Sequence, residues 1–267
     1  MAITPVKIGK LEYLTADGIS APHCFTTRLG GISSGHLSSM NIGTHRGDSS
    51  ENVAENYRIL GNALGFTPED LVLTQQIHSD IVRTVGRSDA GKGLNHDAYP
   101  VCDALITNDP GVGLVVFTAD CTPILLQDSV TGAVGAVHAG WRGTALGIAQ
   151  KTVEAMVTAF GCLPENIHAA IGPNIAQCCF QTDRDVPDAM LTALGDEAQS
   201  YIRAEGPKFY VNLKEINVLW LKRAGVTHIE ISPLCTACRQ DLFWSHRRVG
   251  QQRGSQGAII ICKEVGN

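Results

Sequence analysis

Apolar residues recur at helical spacing over 48–65, where Val53, Tyr57, Leu60 and Leu64 form one stripe. Asp48, Ser49 and Ser50 offer capping oxygens at its start, and Gly65 closes it. Beyond Pro68 the period shortens. Leu71-Val72-Leu73 and Ile81 to Val85 read as strands, and residues 86–100, rich in Gly, Asp and Asn, as a surface loop. The centre of the chain is a series of apolar runs at Ala104–Thr107, Val112–Phe117, Pro123–Leu126 and Ala133–His138, with a turn at Ser129, Thr131 and Gly132. Runs apolar at every position predict strands covered on both faces. Helical spacing returns over 144–160 through Ala145, Ile148, Thr152, Met156 and Phe160, then at 184–195 and 213–224, the last closed by Gly225. Strands are predicted at 167–171, 226–231 and 257–262. The pattern is that of an α/β fold with a mixed sheet and hairpins, flanked by helices.

Composition narrows this picture. A chain of 267 residues, 44% hydrophobic and 18% charged, can bury one substantial core, and no Pro-, Ser- or charge-rich linker divides it, so a single domain over 1–267 is expected. The net charge of −5 is mild and unclustered, which argues against nucleic acid or an acidic membrane as partner. No run approaches the roughly 18 apolar residues of a membrane span. The first residues lack the apolar stretch of a secretory signal, and nine cysteines are an odd count for a disulfide framework, so a cytoplasmic protein with reduced thiols is expected.

Against that background, His78, Cys121 and His138 stand where predicted strands run out. Imidazole and thiolate are preferred zinc ligands, and three protein ligands leave a fourth position for water or substrate. Two strands and a turn separate Cys121 from His138, so a hairpin would return them to one sheet end. Taken singly, each has a plainer reading: a surface histidine, a small buried thiol, a hydrogen-bonded core histidine. Cys121 and His138 could also form a nucleophile–base pair without metal.

Other phrases supply binding groups. Arg28 beside Gly30 and Gly31, followed by Asn41 in Met40-Asn41-Ile42-Gly43, can surround an anion with a guanidinium fork and backbone N–H groups. Arg142, in Gly140-Trp141-Arg142-Gly143, precedes a predicted helix and suits an anion as well as it suits a carboxylate partner. Trp141 is expected in the core. Asp103 and Asp120 can orient a ligand histidine or move a proton, although Asp120, adjacent to Cys121, points to the opposite face if the strand still runs there. Cys235-Thr236-Ala237-Cys238 is a single CxxC. The neighbouring pair Cys178-Cys179 is not expected to complete a tetrahedral site, and these thiols are expected to be structural. Phe243-Trp244-Ser245-His246-Arg247-Arg248 offers groups to line a pocket for a planar ring or to tie the C-terminal segment down.

In order along the chain come Thr26-Thr27-Arg28-Leu29-Gly30-Gly31, Gln76-Ile77-His78, Asp103-Ala104-Leu105-Ile106-Thr107, Thr118-Ala119-Asp120-Cys121, Ala136 to Gly143, and Ile171-Gly172-Pro173. From about residue 20 to residue 262 the chain resembles the YfiH-like, laccase-domain family, also called the purine nucleoside phosphorylase or polyphenol oxidase family. The resemblance implies a layered α/β sandwich similar to the cysteine hydrolase fold of certain bacterial toxins, with zinc on His78, Cys121 and His138. It implies phosphorolysis of adenosine, inosine, guanosine and methylthioadenosine, with adenosine deamination in some members. The partners so implied are a purine nucleoside and phosphate; oligomeric state is left open. Expected at the chemistry are Cys121, His138, His78 and Arg28, and around substrate and phosphate Arg28, Gly30, Gly31, Asn41, Gln76, Asp103, Asp120 and Arg142. The chain departs from the family pattern at Asn174, Ala237, His246 and Thr182-Asp183-Arg184, which bears on substrate preference. Editing of a peptidoglycan precursor by a zinc or Cys–His hydrolase is the alternative. True multicopper oxidation is disfavoured, because nine histidines include no His-x-His, though a single Cu2+ suits the same ligands.

Overall fold

Three strands open the chain, β1 (Ile3–Ile8), β2 (Leu11–Ala16) and β3 (His23–Thr26), in the computed structural model, which describes residues 2–94 and 100–264. They lie outside the predicted elements: β1 is an edge strand of exposed and half-buried residues and has no continuous apolar run. Next come α1 (Ser50–Leu64), β4 (Leu71–Leu73), β5 (Val82–Thr84), β6 (Ala104–Thr107), β7 (Gly113–Thr118), β8 (Thr122–Asp128) and β9 (Val134–Ala139). Part of the loop expected over 86–100 lies outside the described residues, at 95–99.

The helix expected over 144–160 is two helices, α2 (Trp141–Ala145) and α3 (Ile148–Phe160). Gly147 between them has φ +75°, a left-handed conformation that stops the first helix while the apolar stripe continues unbroken. The chain continues with β10 (Ile167–Ile171), β11 (Gln181–Thr182), α4 (Asp185–Leu194), β12 (Ile202–Glu205), β13 (Lys208–Val211), α5 (Leu213–Arg223), β14 (His228–Ile231), α6 (His246–Val249) and β15 (Gln256–Ile261).

The strands form two six-stranded sheets, ordered β1-β2-β3-β15-β7-β4 and β14-β10-β8-β9-β6-β5, and a small sheet β11-β13-β12. Both large sheets mix parallel and antiparallel pairs, so the fold is mixed α/β. They bury one face against each other: Phe25, Leu114, Val116 and Ile260 of the first meet Leu105, Leu125, Val134 and Ala136 of the second. The outer face of the first sheet is covered by α1 through Val53, Tyr57 and Leu60, and that of the second by α3 and α5 through Ile148, Met156 and Leu221. Every residue of β8 and β9 is therefore buried, as the unbroken apolar runs predict. Each large aliphatic or aromatic side chain so placed contributes roughly 1.5–3 kcal/mol. Among the described residues no helix is long and apolar enough to cross a membrane.

Candidate active site

Alternation along β6, β8 and β9 decides which side chains meet at the sheet end. On β9, Val134 and Ala136 face the other sheet while Val137 and Ala139 face α3, so His138 belongs to the inter-sheet series. On β6, Leu105 sets the same parity for Asp103; on β8, Leu125 sets it for Cys121. The antiparallel registers Ala104↔Val137 and Thr122↔Ala139 then bring Asp103, His138 and Cys121 to one mouth between the sheets.

His78 arrives from the loop between β4 and β5, and the buried Asp103 carboxylate is what holds that loop. Its Oδ2 accepts from the backbone N–H of Ile77 (3.2 Å) and of Ser79 (2.7 Å) and from Ser79 Oγ (2.7 Å). Its Oδ1 accepts from the His78 backbone N–H (3.0 Å) and pairs with His138 Nδ1 (2.8 Å). Burial pushes this carboxyl up, but the hydrogen bonds from His138 and Ser79 outweigh it and hold it at about 2. Among the described residues His78 is one of two non-glycine residues with positive φ, at 61°. The other is Asp120, at 93°. That turn swings the Asp120 carboxylate away from Cys121 to accept from Thr236 Oγ1 (2.6 Å), Ser245 Oγ (3.0 Å) and the Arg247 backbone N–H (2.6 Å).

Cys121 Sγ lies 3.8 Å from His78 Nε2, and the ligand atoms of His78, Cys121 and His138 all fall within 4.8 Å of one another. A tetrahedral zinc with Zn–S of about 2.3 Å and Zn–N of about 2.0 Å spaces sulfur and nitrogen about 3.5 Å apart, so the set fits such an ion. With Nδ1 directed at Asp103, Nε2 is the nitrogen His138 has for a metal, whose binding would displace the proton held there. Burial pushes the Cys121 thiol up, yet the His138 and His78 rings pull it down to about 6. His138 is raised to about 9, burial being outweighed by Cys121 and Asp103. The local field thus favours a thiolate, the form that binds metal. Gly140 leaves room for all this: a Cβ there would stand 2.7 Å from His78 Cδ2 and 3.4 Å from Cys121 Sγ.

Beside His78 and Cys121 opens a cavity of about 410 Å³, lined among others by Arg46, Trp141, Phe180, His246, Arg247 and Arg253. Trp141, expected in the core, is half-buried and lines this cavity. His246 and Arg247 line it as the pocket reading of their segment has it, whereas Phe243 and Trp244 are buried. Arg46, Phe180 and Arg253 are not among the sequence candidates. Arg46 and Arg253 stand in polar, Gly-containing stretches with no phrase to mark them, and only the fold brings them to Cys121.

Several sequence candidates lie elsewhere. The Arg28 guanidinium donates to the carbonyls of Ser38 (3.1 Å) and Gln240 (3.0 Å) and stacks 3.8 Å over the Trp244 ring. Gly30, with φ +90°, is pressed against Leu11, and Gly31 against Ser39 and Asn56, so both serve close backbone approach. Asn41 is buried, accepting from Gly43 N (3.1 Å) and Ser255 N (2.9 Å) and donating to Asp48. Gln76 acts as a substitute backbone group, accepting from Phe117 N (2.6 Å) and donating to Phe117 O (2.8 Å), which pins the His78 loop to β7. Arg142 is exposed and stacks over Trp141.

A family model described as multi-copper polyphenol oxidoreductase laccase matches residues 22–263. The purine nucleoside phosphorylase YlmD of Geobacillus stearothermophilus is 40% identical over 240 residues, covering 88% of this chain and 86% of that protein. A purine nucleoside phosphorylase of Deinococcus radiodurans is 38% identical over 94% of this chain and 92% of its own length. The crystal structure of the Geobacillus YlmD superposes with a TM-score of 0.91 at 37% identity, over 97% of this chain and 99% of that one. With this match in sequence and in fold, the chain belongs to the multi-copper polyphenol oxidoreductase laccase family, the YfiH-like group whose phrases it carries.

Proposed function

We propose that this protein is a purine nucleoside phosphorylase, with zinc as the metal held by His78, Cys121 and His138. The observation that carries the reading is a cationic cavity beside a three-ligand set. Arg46, Arg247 and Arg253 line the same space as Cys121, and among the described residues none has a carboxylate in ion-pair reach. Burial and the neighbouring Arg46 charge pull Arg253 down to about 10. Asp120 also lines the cavity, but its carboxylate is taken up by Thr236, Ser245 and the Arg247 backbone N–H, so the clustered guanidinium groups keep donors for phosphate, which takes them up as charge-assisted hydrogen bonds. Trp141, Phe180 and Ile175 line the cavity with the apolar and aromatic surface a purine needs. The names of the relatives point the same way.

In the reaction, a phosphate oxygen attacks the anomeric carbon as the bond to the base breaks, and that electron pair leaves with the purine. The arginines hold phosphate in line with the breaking bond and offset the charge of this nucleophile. Asp103 keeps His138 in one tautomer and the His78 loop in place, so the ligand set needs no rearrangement during turnover. Held by His78, Cys121 and His138, zinc would supply a Lewis acid. The donor set also accepts copper, so metal content is to be quantified alongside activity.

The test is zinc-loaded protein incubated with adenosine, inosine or methylthioadenosine, with and without phosphate, followed by chromatography. The expected result is release of free base and sugar 1-phosphate only when phosphate is present, abolished in Cys121→Ala. Phosphate-independent conversion of adenosine to inosine as the sole product, or no turnover of any nucleoside, would overturn the assignment.

A further inference from the structure

The fold brings a second group of sulfurs together, remote in sequence and separate from the three-ligand set. Cys178 and Cys179 lie in the turn after β10, and Cys235 and Cys238 in the segment after β14; their sulfurs all fall within 4.8 Å of one another. Three edges of this group are 3.7 Å for Cys178–Cys179, 3.7 Å for Cys178–Cys238 and 3.4 Å for Cys179–Cys238. A disulfide needs sulfurs about 2.0 Å apart. Four thiolates around zinc at about 2.3 Å need edges of about 3.8 Å. The observed spacings match the second requirement. The expectation that the adjacent pair Cys178-Cys179 could not complete a tetrahedral site is thereby corrected, because the turn splays the two sulfurs to a tetrahedral edge.

A backbone donor and two cations stand around these sulfurs. Cys235 Sγ accepts from the Ala176 backbone N–H at 3.3 Å, and the backbone N–H groups of Ala176, Ala237 and Cys238 pull its thiol down against burial. Arg248 Nη2 stands 3.7 Å from Cys179 Sγ. Lys214 is buried, donates to the carbonyls of Ser232 (2.6 Å) and Leu234 (2.8 Å) just ahead of Cys235, and interacts with the charges of Cys235 and Cys178. Zinc with four thiolates carries a net charge of −2, and these two cations oppose it. No carboxylate ion-pairs with Lys214 or Arg248 among the described residues.

We propose that Cys178, Cys179, Cys235 and Cys238 form a second, structural zinc site that clamps the 174–180 turn to the 235–248 segment. Four thiols bind one Zn2+ and release four protons; no oxidation is involved. The clamp joins the two segments that supply Ile175, Phe180, His246 and Arg247 to the cavity wall, and Arg247 Nη1 donates to Cys179 O at 3.0 Å. This site stands on its own geometry and does not depend on which reaction the cavity supports.

The test is elemental analysis of the full chain purified under reducing conditions, together with Co2+ titration of Cys121→Ala, in which the three-ligand set is disabled. Two zinc ions per wild-type chain are expected, one in Cys121→Ala and one in Cys178→Ser/Cys238→Ser. Co2+ bound to Cys121→Ala is expected to show the intense ligand-field and sulfur-to-cobalt charge-transfer bands of a tetrathiolate. This measurement stands even where the double variant does not fold. Cys121→Ala that binds neither Zn2+ nor Co2+, or peptide mapping that finds these four residues as disulfides in the reduced preparation, would overturn the proposal.

Discussion

Asp103 Oδ1 pairs with His138 Nδ1 at 2.8 Å and accepts the backbone N–H of His78 at 3.0 Å, so one oxygen atom fixes two of the three residues of the His78–Cys121–His138 cluster. The strand end supplies His138 and the loop supplies His78, and nothing in either element alone would align the two rings. Their centroids lie 4.9 Å apart with planes at 81°, an edge-on arrangement that this shared anchor imposes.

Replacing that anchor with Asp103→Asn is expected to lower metal affinity at least about tenfold, the usual cost of losing the partner that orients a ligand histidine. An amide presents N–H to donors that already point inward, so the His78 loop loosens as well. Competition with a chelator measures the affinity, and kcat/KM is expected to fall in parallel. Metal affinity unchanged from wild type would remove Asp103 from this role.

Gly140→Ala tests the same site by steric means. Gly140 has φ −66°, which alanine adopts freely, so any effect comes from the added methyl group and not from backbone strain. That methyl group meets His78 Cδ2 at 2.7 Å, below real contact distance, and Cys121 Sγ at 3.4 Å. Displacement of the His78 ring is expected, with metal retention through dialysis lost and thermal stability changed by no more than a few degrees. A variant that keeps its metal would show that the ring relocates without harm.

The grouping of His78, Cys121 and His138 was legible because residue type and position agreed: two imidazoles and a thiol, each where a predicted strand runs out. The helical stripes over α1 and α5 were legible for the same reason, since Val53, Tyr57 and Leu60 repeat with the period of the buried face. Gly147 did not announce itself as a break, because apolar spacing carries no record of a positive φ. The arginine cluster was hidden for a different reason. Arg46 and Arg253 lie far apart in sequence and meet only near Ser255, to whose Oγ Arg46 Nε donates at 3.2 Å. The phrase around Arg28 drew attention to itself through its glycines, which turn out to serve close approach to Leu11 and Ser39.

That contrast gives a paired prediction for phosphate. Removing Arg253 with Arg253→Met is expected to raise the phosphate KM roughly 10–100-fold, as loss of a charge-assisted contact worth about 1.5–3 kcal/mol implies. Metal content is expected to stay at the wild-type level. Arg28→Met is expected to leave phosphate KM within about threefold and to act on stability, since it frees the carbonyls of Ser38 and Gln240 and uncovers Trp244. The reverse pattern, in which Arg28 controls phosphate KM and Arg253 does not, would return phosphate to the glycine-flanked arginine.

His23 supplies a pH test away from the ligand set. Its Nε2 accepts from the Ala16 backbone N–H at 2.8 Å while its Nδ1 donates to Ala21 O at 2.8 Å, so both ring nitrogens are committed to the neutral form. Burial lowers its pKa, with the Ala21 carbonyl pulling weakly the other way. Below about pH 6.5 the unfolded chain therefore takes up a proton that the native state refuses. Stability from this group is fully present above that pH and declines as pH falls, by at most about 1.4 kcal/mol per unit for one proton. His23→Gln is expected to be destabilised by about 1–2 kcal/mol at pH 7.5, because a buried hydrogen bond is lost. Its deficit against wild type is expected to shrink between pH 6.5 and 5, since the variant has no proton to refuse. Urea unfolding of both proteins across that range measures the difference directly, and a deficit that stays constant would mean that His23 is charged in the native state.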